Sequence, residues 1–88
     1  MAQRRVTVAS KVGLHARPAA LVAKTAAAQA VPVTIAKDGA APVPAGSLLS
    51  LMTLAAGHGD EVVVAAEGEG AQEAVDAVAD LVASDLDG

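Results

Sequence analysis

The residues best equipped for chemistry are gathered in one short run, Gly13-Leu14-His15-Ala16-Arg17-Pro18-Ala19. His15 brings a titratable imidazole and Arg17, two residues on, a guanidinium fork. Pro18 stands where a first helical turn should begin, since its fixed φ suits that place and its missing N–H would be unpaired there in any case. The opening N–H groups of a helix lack internal partners and the dipole makes that end positive, so it readily binds phosphate. An imidazole beside such an end and an arginine can accept a phosphoryl group and hold it. The expected chemistry is phosphoryl transfer by covalent relay. The neutral ring attacks phosphorus, and the N–P bond stays reactive because a protonated imidazole leaves easily. Positioning and charge neutralisation do most of the work in such transfers, and Arg17 with the helix-end N–H groups would supply the neutralisation.

A second stretch, Ser47-Leu48-Leu49-Ser50-Leu51-Met52-Thr53-Leu54, reads as a short helix with Ser47 as its N-cap. A helix this short cannot bury Leu48, Leu49, Leu51, Met52 and Leu54 together. The surplus forms an exposed apolar patch, which usually marks a partner surface, and a methionine there suits several partners. His58, in Gly57-His58-Gly59-Asp60, has no neighbouring base or helix start and reads as a surface loop residue. Asp60 and Glu61 are adjacent at a strand start, where side chains rarely converge on one task. No metal-ligand spacing occurs.

The run around His15 resembles, at all seven positions, the active-site signature of the histidine-containing phosphocarriers (HPr) of the sugar phosphotransferase system. That signature is Gly, an aliphatic residue, His, a small residue, Arg, a small residue or Pro, and a small residue. The stretch from Ser47 is similar to the family's regulatory-serine segment, and the resemblance covers essentially the whole chain in length and order of elements. It implies that His15 is phosphorylated at Nδ1 by the phosphohistidine of enzyme I, itself charged from phosphoenolpyruvate. The group then passes to sugar-specific enzyme II A components. Such a carrier is the substrate of both steps and not an enzyme in the turnover sense. The resemblance further implies a phosphate cradle at Ala16, Arg17 and Pro18, and partner contacts at Leu14, Lys24, Leu48, Leu49 and Met52. It makes Ser47 a regulatory phosphorylation site, with a serine kinase or a transcriptional regulator as further partners. No cofactor and no metal are implied. Three positions depart from the family pattern: Val12 replaces a short polar residue, Gly46 a basic residue before the serine, and Ser50 a glycine. Whether Ser47 is only an N-cap, and whether Lys24 is only a solvated helix residue, stays open on sequence.

The 88 residues suffice for one domain, taken as 1–88, with a modest core. There is no Phe, Tyr or Trp, so that core must be aliphatic and shallow. The absence of Cys excludes disulfides, thiolate metal sites and cysteine catalysis. No apolar run is long enough to span a bilayer, and Arg4-Arg5 is not followed by the apolar stretch of a secretory signal, so the cytoplasm is the expected compartment. A net charge of −4 argues against nucleic-acid binding. All six bases precede residue 38 and all ten acids lie from Asp38 onward. Beyond ordinary solvated faces, this segregation offers a basic face around His15 for an acidic partner.

The elements that must position these residues follow from the patterning. Residues 3–9 alternate, with Val6 and Val8 inward, as a strand. A helix runs from 18 to about 29, with Leu21, Val22, Thr25 and Ala26 at helical spacing. A strand over 33–37 leads through the Asp38-Gly39 turn to a returning strand over 40–44, confined to a sheet edge by Pro42 and Pro44. The continuous Val62-Val63-Val64 marks a central strand over 61–66. A last helix over 71–83 carries an apolar stripe of Ala71, Ala74, Val75, Val78, Leu81 and Val82, with Asp76 and Asp80 outside it, before a fraying tail over 84–88. The order β-α-β-β-α-β-α predicts an α+β two-layer open-faced sandwich, a four-stranded and mainly antiparallel sheet covered on one face by helices. The resemblance implies the strand order 1-4-2-3. A monomer is expected.

Other functions fit the sequence less well. A regulatory module of the same fold, acting through Ser47 and its patch, would have little use for an intact His15 and Arg17. An acylphosphatase-like hydrolase needs an asparagine to place water, and this chain has none. A carrier serving a nitrogen-control or dihydroxyacetone branch is not separable from one serving sugar uptake.

Overall fold

The computed structural model describes residues 1–11, 13–14 and 16–84. The chain forms β1 (Ala2–Thr7), α1 (Ala16–Ala27), β2 (Val33–Lys37), β3 (Val43–Pro44), α2 (Leu48–Leu54), β4 (Glu61–Ala66) and α3 (Ala71–Val82). All strand pairs are antiparallel, in the order β1-β4-β2-β3. α3 packs on β1, β4 and β2, α1 packs on α3, and α2 packs on α1 and β3. This is the open-faced α+β sandwich expected from the element order.

Val62 and Val64 point into the helical layer with no exposure, whereas Val63 lies half-buried on the open face. A run of three valines therefore marks the middle of this sheet, between β1 and β2, although only alternate members reach the core. Along β1 the alternation continues past the strand end, with both Val6 and Val8 buried. Apart from the buried Ser10 the core is apolar and without aromatic rings, and its largest fully buried side chains are Leu14, Ile35 and Leu51.

Several boundaries shift for identifiable reasons. β1 stops at Thr7 instead of residue 9: Val8 exchanges backbone bonds with Asp60 and Gly59, and Ala9 N–H turns to Val82 O at 3.3 Å. α1 opens at Ala16, which places Pro18 third in the helix, still within the turn whose N–H groups have no internal acceptor. It closes early because Gln29 N–H bonds Ala26 O three residues back at 3.2 Å, tightening the last turn. The returning strand shrinks to Val43–Pro44, paired with Ile35 and Thr34, because Pro42 and Pro44 carry no donor for the ladder. In α3, Ala79 replaces Leu81 in the buried stripe and Leu81 packs at its margin. Residues 85–88 of the expected tail lie outside the described residues.

Two charge networks fasten the sheet. Arg4 reaches across from β1 to Asp76 at 3.2 Å and Asp80 at 2.8 Å, one turn apart on α3. On the open face Arg5 joins Asp38 at 3.0 Å to Glu61 at 3.3 Å. Hydrogen bonds donated to these carboxylates, Asp80 and Asp38 foremost, push both guanidinium pKa values up from an already high level. Being exposed pairs, they fix geometry more than they stabilise.

Candidate functional site

His15 and Val12 lie outside the described residues, and the site is defined by what surrounds them. On one side Leu14 is fixed twice. Its N–H donates to Ala56 O at 2.8 Å, and its side chain is only 1% exposed, within the core. Leu14 was expected to touch a partner; burial removes that role from its side chain and makes it an anchor for the histidine loop. Before it, Gly13 takes φ +72°, and a Cβ there would stand 2.6 Å from Ala56 O and 2.8 Å from Gly57 Cα. Only glycine allows the two backbones to lie this close.

On the other side stands the first turn of α1. Ala16 and Arg17 carry N–H groups with no internal acceptor, at the positive end of a 12-residue helix. Pro18 supplies no donor and its ring is fully buried, so within the expected cradle it shapes the helix start and presents nothing to an anion. Arg17 is exposed and no acid among the described residues neutralises it.

The six bases divide sharply. Arg4, Arg5 and Lys37 are spent on internal ion pairs, whereas Lys11, Arg17 and Lys24 are exposed with no ion-pair partner among the described residues. Segregation along the sequence thus overstates the basic face by half, and the unspent half brackets His15 and follows α1. Arg17 and Lys24 are seven residues apart and share a helix face. Leu21 lies between them at 36% exposure. The sequence places it at helical spacing with Val22, Thr25 and Ala26, and its distance from Arg17 and Lys24, four and three residues, assigns it to the outer face.

α2 packs on α1. Its inner side buries Leu51 and Leu54, and Leu48, Leu49 and Met52 are exposed at 44%, 73% and 43%. The surplus of large apolar residues is therefore outside, as the length of the helix required. Ser47 is the N-cap, its Oγ accepting from Ser50 N–H at 3.2 Å. His58 is exposed in its loop. Asp60 and Glu61 diverge, Asp60 toward Gly57 and Lys37, Glu61 toward Arg5. No group of three His, Cys, Asp or Glu side chains among the described residues can hold a metal ion, and no helix is long and apolar enough to cross a membrane.

Residues 2–84 match the family described as "PTS HPr component phosphorylation site". The chain belongs to the HPr family of phosphocarriers. It is 48% identical over 87 residues to the phosphocarrier protein HPr of Streptomyces coelicolor, covering 99% of this chain and 94% of that one. It is 42% identical over 86 residues to the HPr-like protein Crh of Bacillus subtilis, covering 98% and 100%. The crystal structure of HPr from Bacillus anthracis superposes with a TM-score of 0.85 at 42% identity, over 92% of this chain and 95% of that one. The HPr fold accounts for the strand order and for the open face of the sheet.

Proposed function

We propose that this chain is a cytoplasmic, monomeric, single-domain phosphocarrier that accepts a phosphoryl group on His15 from phospho-enzyme I and passes it to enzyme II A components. The observation that carries this reading is the uncompensated positive end built beside residue 15. The opening N–H groups of Ala16 and Arg17 follow it directly in the chain, and the exposed Arg17 guanidinium has no ion-pair partner among the described residues, within a family named for its phosphorylation site. In the first transfer a ring nitrogen of His15 forms a bond to phosphorus as the N–P bond of the donor phosphohistidine breaks, and the released imidazole takes up a proton. Arg17 and the helix-end donors offset charge on the phosphoryl oxygens, and the reverse sequence delivers the group onward. Lys11, Arg17 and Lys24 attract an acidic rim on the partner, and Leu21, Leu48, Leu49 and Met52 supply its apolar contact. The test is incubation with enzyme I and phosphoenolpyruvate, read by intact mass. One phosphoryl group, acid-labile and base-stable, is expected; an unmodified chain refutes the reading.

Arg17→Ala is expected to slow transfer by roughly 10²-fold without abolishing it, since the helix-end donors remain. Its thermal midpoint should match wild type, because the side chain is exposed and holds no ion pair. A transfer rate within twofold of wild type sinks the role given to Arg17.

Ser47 sits at the rim of the apolar patch, which makes it a point of control. Ser47→Asp preserves an N-cap acceptor and suits the positive end of α2, so the thermal midpoint should hold. The added charge opposes the acidic partner that Arg17 and Lys24 attract. Phosphorylation by enzyme I should slow about fivefold at low salt, the kinetic equivalent of ~1 kcal/mol, and less at high salt. Equal rates at low salt would leave Ser47 a helix cap alone.

A further inference from the structure

The loop that carries His15 closes one turn of its own, Gly13 N–H to Ser10 O at 3.0 Å, and leans on the 55–57 backbone for the rest of its support. Leu14 hangs on Ala56 O, and Gly13 lies against Ala56 and Gly57. Whatever sets the backbone at 55–57 therefore sets where His15 begins. That backbone is not at rest in an easy conformation. Ala55, the C-cap of α2, has φ 57° and is the one non-glycine residue with positive φ among the described residues. Such a conformation persists only where the surroundings enforce it.

Two side chains do the enforcing. Asp60 Oδ2 accepts from Gly57 N–H at 2.9 Å, while Asp60 N–H donates to Gly57 O at 3.0 Å, closing the turn from both ends. Lys37, from the end of β2, sets its Nζ 3.4 Å from Ala55 O and 3.8 Å from Asp60 Oδ2. Asp60 is itself locked to the sheet, its carbonyl accepting from Val8 N–H at 2.9 Å. A continuous set of contacts runs from the sheet through Asp60 to Gly57 and Ala56, and from there to Gly13 and Leu14, the residue before the histidine in sequence.

We infer that Asp60 is a positioning residue for phosphoryl transfer, holding the 55–57 backbone that aims the His15 loop, with Lys37 as its auxiliary. The inference rests on the proposed role of His15. A reacting group must be placed to within a fraction of an ångström, so a support that never touches the phosphoryl group still governs the rate. What matters is the acceptor on Gly57 N–H, which an asparagine oxygen also provides and an alanine does not.

The experiment compares wild type with Asp60→Ala, Asp60→Asn, Lys37→Met and, as a control, Glu61→Ala, whose carboxylate pairs with Arg5 on the open face. Native-state amide exchange at Leu14 is followed together with steady-state phosphorylation of the carrier by enzyme I. In Asp60→Ala, Leu14 exchange should rise roughly tenfold as the supporting loop opens locally. The kcat for transfer should fall about tenfold with KM for the carrier within twofold, since docking uses α1 and α2 and only the aim is lost. Asp60→Asn should restore both quantities to within about twofold of wild type. Lys37→Met should give smaller shifts in the same direction, and it keeps the test decisive if Asp60→Ala fails to fold. Glu61→Ala should change neither. Unchanged Leu14 exchange in both Asp60→Ala and Lys37→Met overturns the inference, as does an asparagine variant that behaves like alanine. Leu14 exchange is read without enzyme I, so failure of wild type to be phosphorylated refutes the carrier reading separately, whatever the exchange results.

Discussion

His15→Ala is expected to abolish phosphoryl acceptance, with transfer from phospho-enzyme I reduced by at least about 10³-fold and no phosphoryl group detected by intact mass. The magnitude follows from the role proposed for the residue. In that proposal a ring nitrogen of His15 is the atom to which phosphorus bonds, and no neighbouring group replaces a nucleophile that is also the carrier. Arg17 and the helix end bind an anion without forming a bond to it. His58, the other histidine, stands in the exposed loop between Gly57 and Gly59, with no helix end beside it. His58→Ala should therefore be silent. The fold should survive in both variants: Leu14 is held by Ala56 and by its own burial, and Ala16 by the helix that follows. The change in stability should stay within about 0.5 kcal/mol, measured by thermal unfolding. A phosphoryl group retained by His15→Ala, or lost only in His58→Ala, reassigns the site.

Gly13→Ala should be the most damaging single methyl in the molecule. Two penalties combine there. The left-handed backbone at φ +72° costs a residue with a Cβ about 1–2 kcal/mol. The new methyl must also displace Ala56 O and Gly57 Cα, backbone atoms that cannot rotate away, at a typical overpacking cost of about 1–3 kcal/mol. The sum, ~2–5 kcal/mol, is a large part of the stability of a small domain and should lower the thermal midpoint by about 10–25 °C. The same displacement pulls Leu14 N–H off Ala56 O, so residual folded protein should transfer phosphoryl groups slowly. A midpoint within about 2 °C of wild type would show that the two loops part without cost.

The fold was largely legible because its period signals are unmixed. Alternation at Val6 and Val8, the Val62-Val63-Val64 run and the small-residue stripe of α3 each permit one reading, and turn residues separate them. Edges were harder. The end of β1 depends on Asp60 and Gly59, far along the chain, and nothing local to residues 8 and 9 announces it. The shortening of β3 was latent in Pro42 and Pro44, but how much ladder two prolines remove depends on where their missing donors fall in the register.

At the site, Arg17, Ser47 and the exposed Leu48, Leu49 and Met52 were readable from spacing and from the length of α2. Leu14 was not, because an aliphatic residue beside an active histidine fits a contact surface as well as a core, and only the bond to Ala56 decides. Charge misled in a similar way. Arg4, Arg5 and Lys37 look like part of a basic face until the fold brings Asp76, Asp80, Asp38, Glu61 and Asp60 to them. Asp60 was dismissed as half of an unconvincing carboxylate pair. Its importance comes from a backbone N–H three residues earlier, which side-chain patterns do not display.

The pairing of β1 with β4 has a consequence for how the molecule comes into being. Thr7 lies opposite Glu61, and Ala2 opposite Ala66, so the first strand made meets its only neighbour after most of the chain has been synthesised. Until then α1 and the β2–β3 hairpin can form from local contacts, but closing so long a loop waits for the later segment. The two backbones that flank the histidine, around Gly13 and around Ala56, are joined by the same closure. On the ribosome, then, a growing chain displays His15 early and the machinery around it late. Unfinished copies, which lack the 55–57 backbone that holds Leu14, are therefore expected to be slow phosphoryl acceptors under the proposed function.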